Sequence, residues 1–425
     1  MKKMISLPAL TALATAVSAM LIGTSATAGG LTLNEQSASG MGTAYAGRAS
    51  SALDASTVFG NPAGMSRLGA QASGGFAVID AHIDIRSASG DAPGSNRGDM
   101  VPFSVIPFGY YVNPINDDWH FGIGLYAPFG GDADYERNFQ GRYKGTQTTI
   151  QVVTVQPTLS YKLNERMSVG VGAMVSRIDG TLAFNLDTTA LGGAGDGRVK
   201  STGHDYGVGY NIGFIADLTD ATTLGLTYRS KVEYNLRGET KARNFPATGA
   251  ALGLIDGDYR GKLDFTSPEA AEISVTHRLD DRWTLHGGAM WTRWDRLSRI
   301  VIDNNAQGSL QTLEEEVQWR NTWAFALGAS YQLNPSWVLR AGAALDESPA
   351  TNDFRSVRTP YGNRKVVSLG AGWSPTANLT VDLAYAYLWE SKASINQPAE
   401  PLRPGYAATY DTDAHGLSAQ FTYKY

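Results

Sequence analysis

The C-terminal stretch TDAHGLSAQFTYKY, residues 412–425, alternates between two kinds of side chain along its length. Leu417, Phe421, Tyr423 and Tyr425 share one face of an extended chain, and small or polar residues share the other. Because successive side chains of a strand point to opposite faces, this alternation predicts a β-strand with one apolar face. Its aromatic residues lie toward one end of the apolar face, which is typical of strands that cross an outer membrane.

The same alternation recurs in other segments, among them RNTWAFALGASY (320–331), TTLGLTYRSKVEY (222–234) and NLTVDLAYAYLW (378–389). In a soluble sandwich the apolar face would fill a core and would be rich in Val, Ile and Leu. Here the apolar face ends in Trp and Tyr, while the opposite face carries Gly, Ala, Ser and Thr. This pattern favours a membrane barrel with a belt of aromatic side chains at each interface.

Short and long connections alternate between the predicted strands. Short turns rich in Asn, Asp and Pro are predicted at residues 113–118, 163–167, 218–223, 279–283, 333–337 and 374–379. Long connections are predicted near residues 87–100, 129–147, 185–202, 237–262, 303–313, 348–360 and 391–409. Thirteen connections separate fourteen strands, so residues 71–425 are predicted to form an all-β, 14-stranded antiparallel transmembrane β-barrel with both ends on the short-turn side.

The N-terminus has the pattern of a secretory signal peptide over residues 1–28. Lys2 and Lys3 precede an apolar region, and Ala26-Thr27-Ala28 matches a cleavage site. The alternative is a retained membrane anchor. After residue 28 the chain has no run of about 18 apolar residues, so no further membrane-spanning helix is expected.

Composition excludes several classes of function. The chain of 425 residues has no Cys and a formal net charge of −5. No disulfide or Cys-zinc chemistry is therefore available, and the acidic balance argues against a nucleic-acid partner. The sequence contains neither G-x-S-x-G nor H-E-x-x-H, and its six His are scattered over different strands. No catalytic residue, cofactor or metal site is expected, although a Ser–His pair assembled across strands would allow a lipase.

Residues 29–70 show no period of two and are dense in Ala, Ser and Gly. Their most apolar part, STVFGNPAGM (56–65), is broken by Pro62, which lacks a backbone N–H. Irregular backbone is tolerated at membrane depth only where it is buried in protein or lines a cavity. A fourteen-stranded barrel is wide enough to hold such a segment, so residues 29–70 are predicted to form a hatch, or plug, inside the lumen.

Several blocks of this segment resemble the start of the FadL/TodX (OmpP1) family of outer-membrane transporters for long-chain fatty acids and hydrocarbons. They are Leu33-Asn34-Glu35-Gln36, Gly40-x-Gly42-x-Ala44-Tyr45-Ala46-Gly47, Asp54-Ala55-Ser56-Thr57 and Asn61-Pro62-Ala63-Gly64. The resemblance implies a barrel occluded by an N-terminal hatch, with the Asn-Pro-Ala motif at Asn61, Pro62 and Ala63. Phe59 and Gly60 precede this motif and complete the predicted gate. Gly60 departs from the bulky residue expected at its position.

The resemblance also implies a transport route. A hydrophobic molecule would be captured at the extracellular loops, bound in the lumen and released sideways into the membrane after displacement of the hatch. The lateral opening would come from a kink in the third strand, here WHFGIGLYAPFGG (119–131). Gly122, Gly124 and Pro128 are features that interrupt strand pairing, and they are the predicted opening. The alternative is that they only lead into a loop.

Two groups of residues are candidates for ligand binding. The connection NFPATGAALGLIDGDY (244–259) carries an unusual apolar set, Phe245, Leu252, Leu254 and Ile255, which would form a capture surface or a self-packed loop core. Strand alternation places a set of cations toward the lumen, where an Arg could pair with a carboxylate or with inward acids of the barrel. That set is Arg229, Lys231, Arg320, Arg340 and Arg364, with Arg320 preferred because it is expected in the upper half of a strand whose outward face is clear.

The function predicted from these features is uptake of hydrophobic molecules, foremost long-chain fatty acids, across the outer membrane of a Gram-negative bacterium. The alternatives are an aromatic-hydrocarbon channel of the same family, or a general porin or adhesin whose plug is only structural. The expected partners are hydrophobic small molecules, outer-membrane lipids and the barrel-assembly machinery, which would read the C-terminal FTYKY. A monomer is expected.

Overall fold

The computed structural model describes residues 31–425, so the predicted signal peptide lies outside the described residues. Nineteen strand segments form one antiparallel sheet. They are β1 (Gln71–Gly90), β2 (Ser104–Pro114), β3 (Trp119–Asp134), β4 (Gln147–Asn164), β5 (Met167–Leu186), β6 (Gly197–Thr219), β7 (Thr222–Arg229), β8 (Val232–Arg243), β9 (Gly257–Ser267), β10 (Ala270–Arg278), β11 (Trp283–Thr292), β12 (Arg299–Asn304), β13 (Thr312–Glu316), β14 (Thr322–Asn334), β15 (Trp337–Asp346), β16 (Arg364–Thr376), β17 (Leu379–Glu390), β18 (Ala393–Gln397) and β19 (Tyr406–Lys424).

Five pairs of consecutive segments each make one interrupted barrel strand: β7/β8, β9/β10, β11/β12, β13/β14 and β17/β18. The nineteen segments therefore form fourteen strands. β1 pairs with β2 on one side and with β19 on the other, so the sheet closes on itself. Gln71 lies opposite Lys424 at one end of this seam, and Gly90 lies opposite Tyr406 at the other. The predicted 14-stranded antiparallel β-barrel is confirmed.

The connections follow the predicted alternation. Each of the six predicted short turns joins two strands, and the other seven connections are long. Because β1 begins and β19 ends beside the short turns, both ends of the barrel lie on that side. Among the described residues, no helix is long and apolar enough to cross a membrane.

The outer wall carries the apolar side chains that the alternation predicts. Val208, Leu327 and Leu369 have exposed fractions of 70%, 72% and 64%, as expected for side chains that face lipid. Aromatic pairs lie near the short-turn edge of the wall, where they mark the membrane interface. They are Trp119 with Tyr161, Trp283 with Tyr331, and Trp337 with Trp373.

Within the predicted strand at residues 222–234, the alternation prediction is wrong beyond Arg229. Ser230 and Lys231 belong to neither β7 nor β8, and this two-residue break inverts which positions face the lumen. Val232 and Tyr234 are therefore buried inside the barrel, although the sequence pattern placed them on the outer face. Lys231, predicted to face the lumen, is instead exposed and pairs with Glu233 on the outside.

The part of the chain before β1 has little regular structure. It contains two short helical turns, α1 (Ala38–Met41) and α2 (Thr57–Gly60), and a 3-10 turn over Pro62–Arg67. Most of its residues from 31 onward are buried. The loops hold four further 3-10 turns, at Thr189–Leu191, Ala247–Leu252, Trp294–Arg296 and Gly308–Leu310.

Candidate functional site

Inward-facing glycines of the barrel strands make room for the N-terminal segment, residues 31–70. A Cβ atom on Gly213 would overlap the Asn61 side chain, and one on Gly225 would overlap the backbone of Ala49. A Cβ on Gly170 would likewise overlap the backbone of the Pro62 peptide. Glycine usually weakens a strand because it has no side chain to pack. Here its lack of a side chain lets the backbone of the segment lie directly against the wall.

Asn61 connects the segment to itself and to the wall. Its Nδ2 donates to the carbonyl oxygens of Ala49 at 2.6 Å, Phe214 at 3.0 Å and Leu226 at 3.2 Å. Its Oδ1 accepts from the Ala63 N–H at 3.0 Å and so caps the 3-10 turn. Asn61 is 1% exposed, so each of these hydrogen bonds is shielded from water.

Phe59 and Gly60 lie between two arginines. The Arg229 guanidinium stacks 4.0 Å from the Phe59 ring centroid, and its Nη2 donates to the Phe59 carbonyl at 2.6 Å. Arg48 lies 5.7 Å from the same ring on the segment itself and pairs with Glu272 of β10 at 2.7 Å. A Cβ on Gly60 would lie 3.0 Å from Arg48 Cγ and 3.1 Å from its carbonyl oxygen. A larger residue at this position would therefore have to displace Arg48.

The third strand, β3, has an irregular middle. Its pairing with β4 shifts register between Tyr126 and Phe129, and its described pairing with β2 ends at Leu125. Gly122 and Gly124 face the lumen, where a Cβ on either would press against Met65 or Val58 of the N-terminal segment. Because the pairing of β2 with β3 ends at Leu125, the edge of β3 beyond that residue has no β2 partner.

Residues 31–33 occupy this edge. The Leu33 N–H donates to the Pro128 carbonyl at 3.0 Å, and the Gly130 N–H donates to the Leu31 carbonyl at 2.9 Å. Thr32 and Phe129 form an isolated antiparallel bridge. The start of the described chain thus takes the place of a neighbouring strand at the bulge of β3.

An apolar cavity, here called the upper cavity, lies in the half of the barrel beside the long loops. It encloses about 990 Å³ of empty space, part of it open to solvent. Leu31 of the N-terminal segment and residues 131–132 of β3 form part of its wall. The other lining side chains are mainly apolar, and they include Ile178, Leu236, Phe265, Ile302, Val317 and Trp319.

One end of the upper cavity is polar. The long loop after β15 crosses to β4, where Arg358 donates to the Gln147 carbonyl at 3.0 Å and to Thr148 Oγ1 at 2.9 Å. Arg358 also pairs with Glu315 at 2.7 Å. Two buried polar atoms at this cavity have no hydrogen-bond partner among the described residues: Trp319 Nε1, a donor, and Glu315 Oε1, an acceptor.

A second cavity, of about 940 Å³, lies between the N-terminal segment and the wall formed by β1, β10, β11, β14–β17 and β19. It is lined by ionisable groups as well as by apolar ones. Arg364, one of its lining residues, pairs with Glu390 at 2.6 Å, and both side chains are almost fully buried. Arg48 and Glu272 also line it and pair with each other, whereas Glu35 and Asp346 line it without an ion pair among the described residues.

The predicted cations differ in where the structure places them. Arg229 faces the lumen and contacts Phe59, and Arg340 pairs with the inward Asp382 at 2.6 Å. Arg320 is exposed and lies between β13 and β14, so its predicted position within a strand is wrong. The reason is that residues 317–321 leave the strand, with Val317 and Trp319 turned inward instead.

The four predicted capture residues separate into two pairs. Leu254 is buried in a cluster with Phe184, Leu310 and Leu313, and Phe245 packs partly against the same cluster. Leu252 and Ile255 are 44% and 51% exposed on the surface of that loop. The loop therefore has a packed core of its own, which includes Leu254 and Phe245, and an apolar outer surface, which includes Leu252 and Ile255.

Sequence reasoning missed Arg358 and Trp319. Arg358 belongs to a long loop, and no local pattern shows that a loop folds back across the lumen. Trp319 sits in the irregular stretch between β13 and β14, where alternation no longer indicates direction. Arg358 lies in the predicted connection 348–360, whereas Trp319 lies between the predicted connection 303–313 and the predicted strand 320–331, so no pattern singles out either residue.

The barrel also brings a serine and a histidine together. His286 Nε2 lies 3.0 Å from Ser330 Oγ, and His286 Nδ1 lies 3.3 Å from Thr276 Oγ1. The group that would orient the imidazole is thus a hydroxyl, whereas a catalytic triad uses a carboxylate there. The pair fits a polar contact between neighbouring strands.

Comparison with known proteins agrees with this architecture. The family model for the outer membrane protein transport proteins OMPP1/FadL/TodX matches residues 19–425. Outer membrane protein P1 of Haemophilus influenzae is 30% identical over 463 aligned residues, covering 97% of this chain and 98% of that protein. The long-chain fatty acid transport protein of Escherichia coli K12 is 26% identical, with coverage of 90% and 93%.

Solved structures share the fold. A Pseudomonas aeruginosa FadL homologue has a TM-score of 0.84 at 24% identity, covering 93% of this chain and 100% of that one. The Pseudomonas putida toluene transporter TodX has a TM-score of 0.64 at 16% identity, with coverage of 93% and 99%. The resemblance noted in the N-terminal blocks is confirmed, and the barrel is an outer-membrane protein. The chain belongs to the outer membrane protein transport family OMPP1/FadL/TodX.

Proposed function

We propose that this protein takes up long-chain fatty acids across the outer membrane and that the upper cavity holds them. The observation that carries the proposal is the polar end of that cavity. Trp319 Nε1 lacks an acceptor and Glu315 Oε1 lacks a donor, while Arg358, which pairs with Glu315, supplies a cation at the same cavity. A carboxylic acid head group offers both an acceptor and, when protonated, a donor. The remaining wall is apolar and suits an acyl chain.

The runner-up is an aromatic hydrocarbon, since the fold is shared with a toluene transporter. A hydrocarbon would leave both Trp319 Nε1 and Glu315 Oε1 without partners. A buried polar group left unpaired costs about 1–3 kcal/mol. The polar end of the cavity therefore favours an acid over a plain hydrocarbon.

The proposed route leads from the loops to the membrane without entering bulk water. Leu252 and Ile255 would provide the first apolar contact, and the upper cavity the second. Leu31 lines that cavity and also pairs with the free edge of β3, so its displacement would open the wall beside the bound ligand. Returning a buried acyl chain to water costs about 0.8 kcal/mol per CH₂, which favours direct lateral release.

In this proposal residues 31–70 act as a hatch. Asn61 and the arginines that flank Phe59 hold it against the wall, while Leu31–Leu33 close the lateral opening at Pro128. A porin or adhesin would need the segment only as filler. The backbone pairing of residues 31–33 with the bulge of β3 favours the transport reading, because a filler has no reason to cover a strand edge.

Oleate binding to the purified full chain in detergent tests the proposal. Arg358→Met and Trp319→Phe are each expected to weaken oleate binding about tenfold, since a lost hydrogen bond of about 1.4 kcal/mol changes the affinity by a factor of ten. Arg320→Met is the matched control, an exposed arginine near the same stretch, and it should bind oleate as the wild type does.

The second part of this test compares the binding of hydrocarbons with that of oleate. Toluene and an alkane of oleate's length are expected to bind more weakly than oleate to the wild type and equally to the wild type and Trp319→Phe. Equal affinity for oleate and the alkane would contradict the acid assignment. Free passage of sugars through liposomes, with no oleate bound, would establish a porin instead.

A further inference from the structure

The seam where the barrel closes carries a cluster of histidine and aspartate on its outer wall. His82 lies on β1, and Asp413 and His415 lie on β19, the strand that pairs with it. Inward positions alternate with these residues, since Thr412 and Ala414 are buried. The cluster therefore faces away from the lumen and the transport route.

The donor atoms of the cluster converge. His82 Nδ1 lies 4.0 Å from Asp413 Oδ2, and His415 Nε2 lies 3.9 Å from the same oxygen. One ligand atom from each of the three residues fits within a span of 4.8 Å. In a tetrahedral zinc site with bonds of about 2.1 Å, neighbouring ligand atoms are about 3.4 Å apart. Small rotations of these exposed side chains would close the difference.

A hydrogen bond orients one of the two imidazoles, and a carboxylate lies at ion-pair distance from the other. Tyr385 Oη lies 2.8 Å from His415 Nδ1, which leaves Nε2 directed at Asp413. Asp80 Oδ2 lies 4.0 Å from His82 Nε2, on the side of the ring away from Asp413. A hydrogen bond to the second ring nitrogen is the usual support for a metal-bound histidine.

The local charge favours a cation. On the same outer face, Arg86 pairs with Asp84 at 2.8 Å and with Asp411 at 3.3 Å. The ion pairs of Asp80 and Asp413 in the described part of the chain are instead with histidines. Tyr387 and Trp389 of the adjoining β17 stack at this level, which marks the membrane interface and not the hydrocarbon centre.

We propose that His82, Asp413 and His415 bind a borderline divalent metal ion of the Zn²⁺ class on the outer wall, and that the ion ties β1 to β19. Two imidazoles select such a metal over Mg²⁺ or Ca²⁺, which prefer oxygen ligands. The fourth position would face outward and be filled by water. Because the ligands come from the first and last strands, the ion strengthens the one pairing that closes the barrel.

Zn²⁺ titration of the full chain, purified in detergent and stripped with a chelator, tests this site. The wild type is expected to bind one Zn²⁺ per chain by equilibrium dialysis and to unfold at a higher temperature when it is bound. Mg²⁺ at the same concentration should give no shift. His82→Ala and His415→Ala should each weaken binding at least about tenfold, and Tyr385→Phe should weaken it without abolishing it.

His204→Ala is the matched control, because His204 is an exposed histidine on β6, away from the seam. This variant should bind Zn²⁺ as the wild type does. Heat-dependent mobility on SDS gels confirms that each variant is folded before binding is measured. Absence of saturable Zn²⁺ binding to the folded wild type, or undiminished binding by a folded variant lacking both His82 and His415, would overturn the proposal.

Discussion

Replacing Asn61 with alanine should release the N-terminal segment from the barrel wall. The substitution removes the hydrogen bonds to the carbonyls of Phe214 and Leu226 on the wall and to Ala49 within the segment. It also leaves the Ala63 N–H without its cap. A neutral hydrogen bond contributes about 1 kcal/mol net, and an unsatisfied buried group costs about 1–3 kcal/mol, so the total is roughly 2–4 kcal/mol.

Each 1.4 kcal/mol is a factor of ten, so the displaced form of the segment should become roughly 30- to 1,000-fold more populated. Hydrogen–deuterium exchange of the folded protein measures this population directly. Amides of residues 57–67 should exchange faster in Asn61→Ala, while those of β15 (Trp337–Asp346) serve as the internal reference and keep their protection.

Asn116→Ala is the control for this experiment. Asn116 also uses its side chain to hold backbone N–H groups, those of Asp118 and Trp119, but it does so in an exposed turn. This variant should leave exchange in residues 57–67 unchanged. If a folded Asn61→Ala barrel kept wild-type protection there, the hydrogen bonds of Asn61 would not be what holds the segment.

Three further predictions test separate contacts. Gly225→Val puts a side chain where the backbone of the N-terminal segment lies, so the segment should become accessible to protease while the barrel stays resistant. Arg229→Met removes the stacking and the hydrogen bond to Phe59, and should cost about 1.5–3 kcal/mol of segment docking, with Arg229→Lys intermediate, as read by the same exchange experiment. Burial opposes ionisation of Asp196, but hydrogen bonds from Arg142 and its neighbours outweigh it and hold the Asp196 pKa below its usual value. The hydrogen bond between Arg142 and Asp196 should therefore be intact above about pH 3.9 and be lost as the pH falls through the lower pKa that Asp196 has in the folded protein. Hydrogen exchange of the loop should show this transition, and Asp196→Asn should lack it.

The barrel was predictable because its signal is local. A period of two, a short turn and an aromatic at a strand end are each visible within about ten residues, and membrane strands repeat them. The prediction failed at Lys231 because a two-residue break inverts the alternation, and nothing in the sequence around Ser230 marks the break. Across the break the pairing with β6 shifts by one residue, from Arg229 opposite Asn211 to Arg237 opposite His204, and a one-residue shift moves the later side chains of that strand to the other face.

The polar end of the upper cavity was not predictable for a different reason. Arg358 reaches the cavity only because the loop after β15 reaches β4, a contact between residues more than two hundred positions apart, and Trp319 lies outside the strands. Arg320 was preferred because strand alternation was extended into a stretch that is not a strand. Alternation indicates the face on which a side chain lies within a strand, and it gives no information about side chains in a loop.

The N-terminal segment and the strand glycines are best understood as one feature. Glycine within a strand costs roughly 0.5–1 kcal/mol, so the inward glycines of β5, β6 and β7 would be a liability in an empty barrel. They become useful once the peptide around Pro62 packs against Gly170 and Gly213, where a side chain would not fit. Pro62 suits the first position of the 3-10 turn because it needs no N–H acceptor there. Asn61 suits the preceding position because one side chain both accepts from the turn and donates to the wall, which neither Asp nor Leu could do.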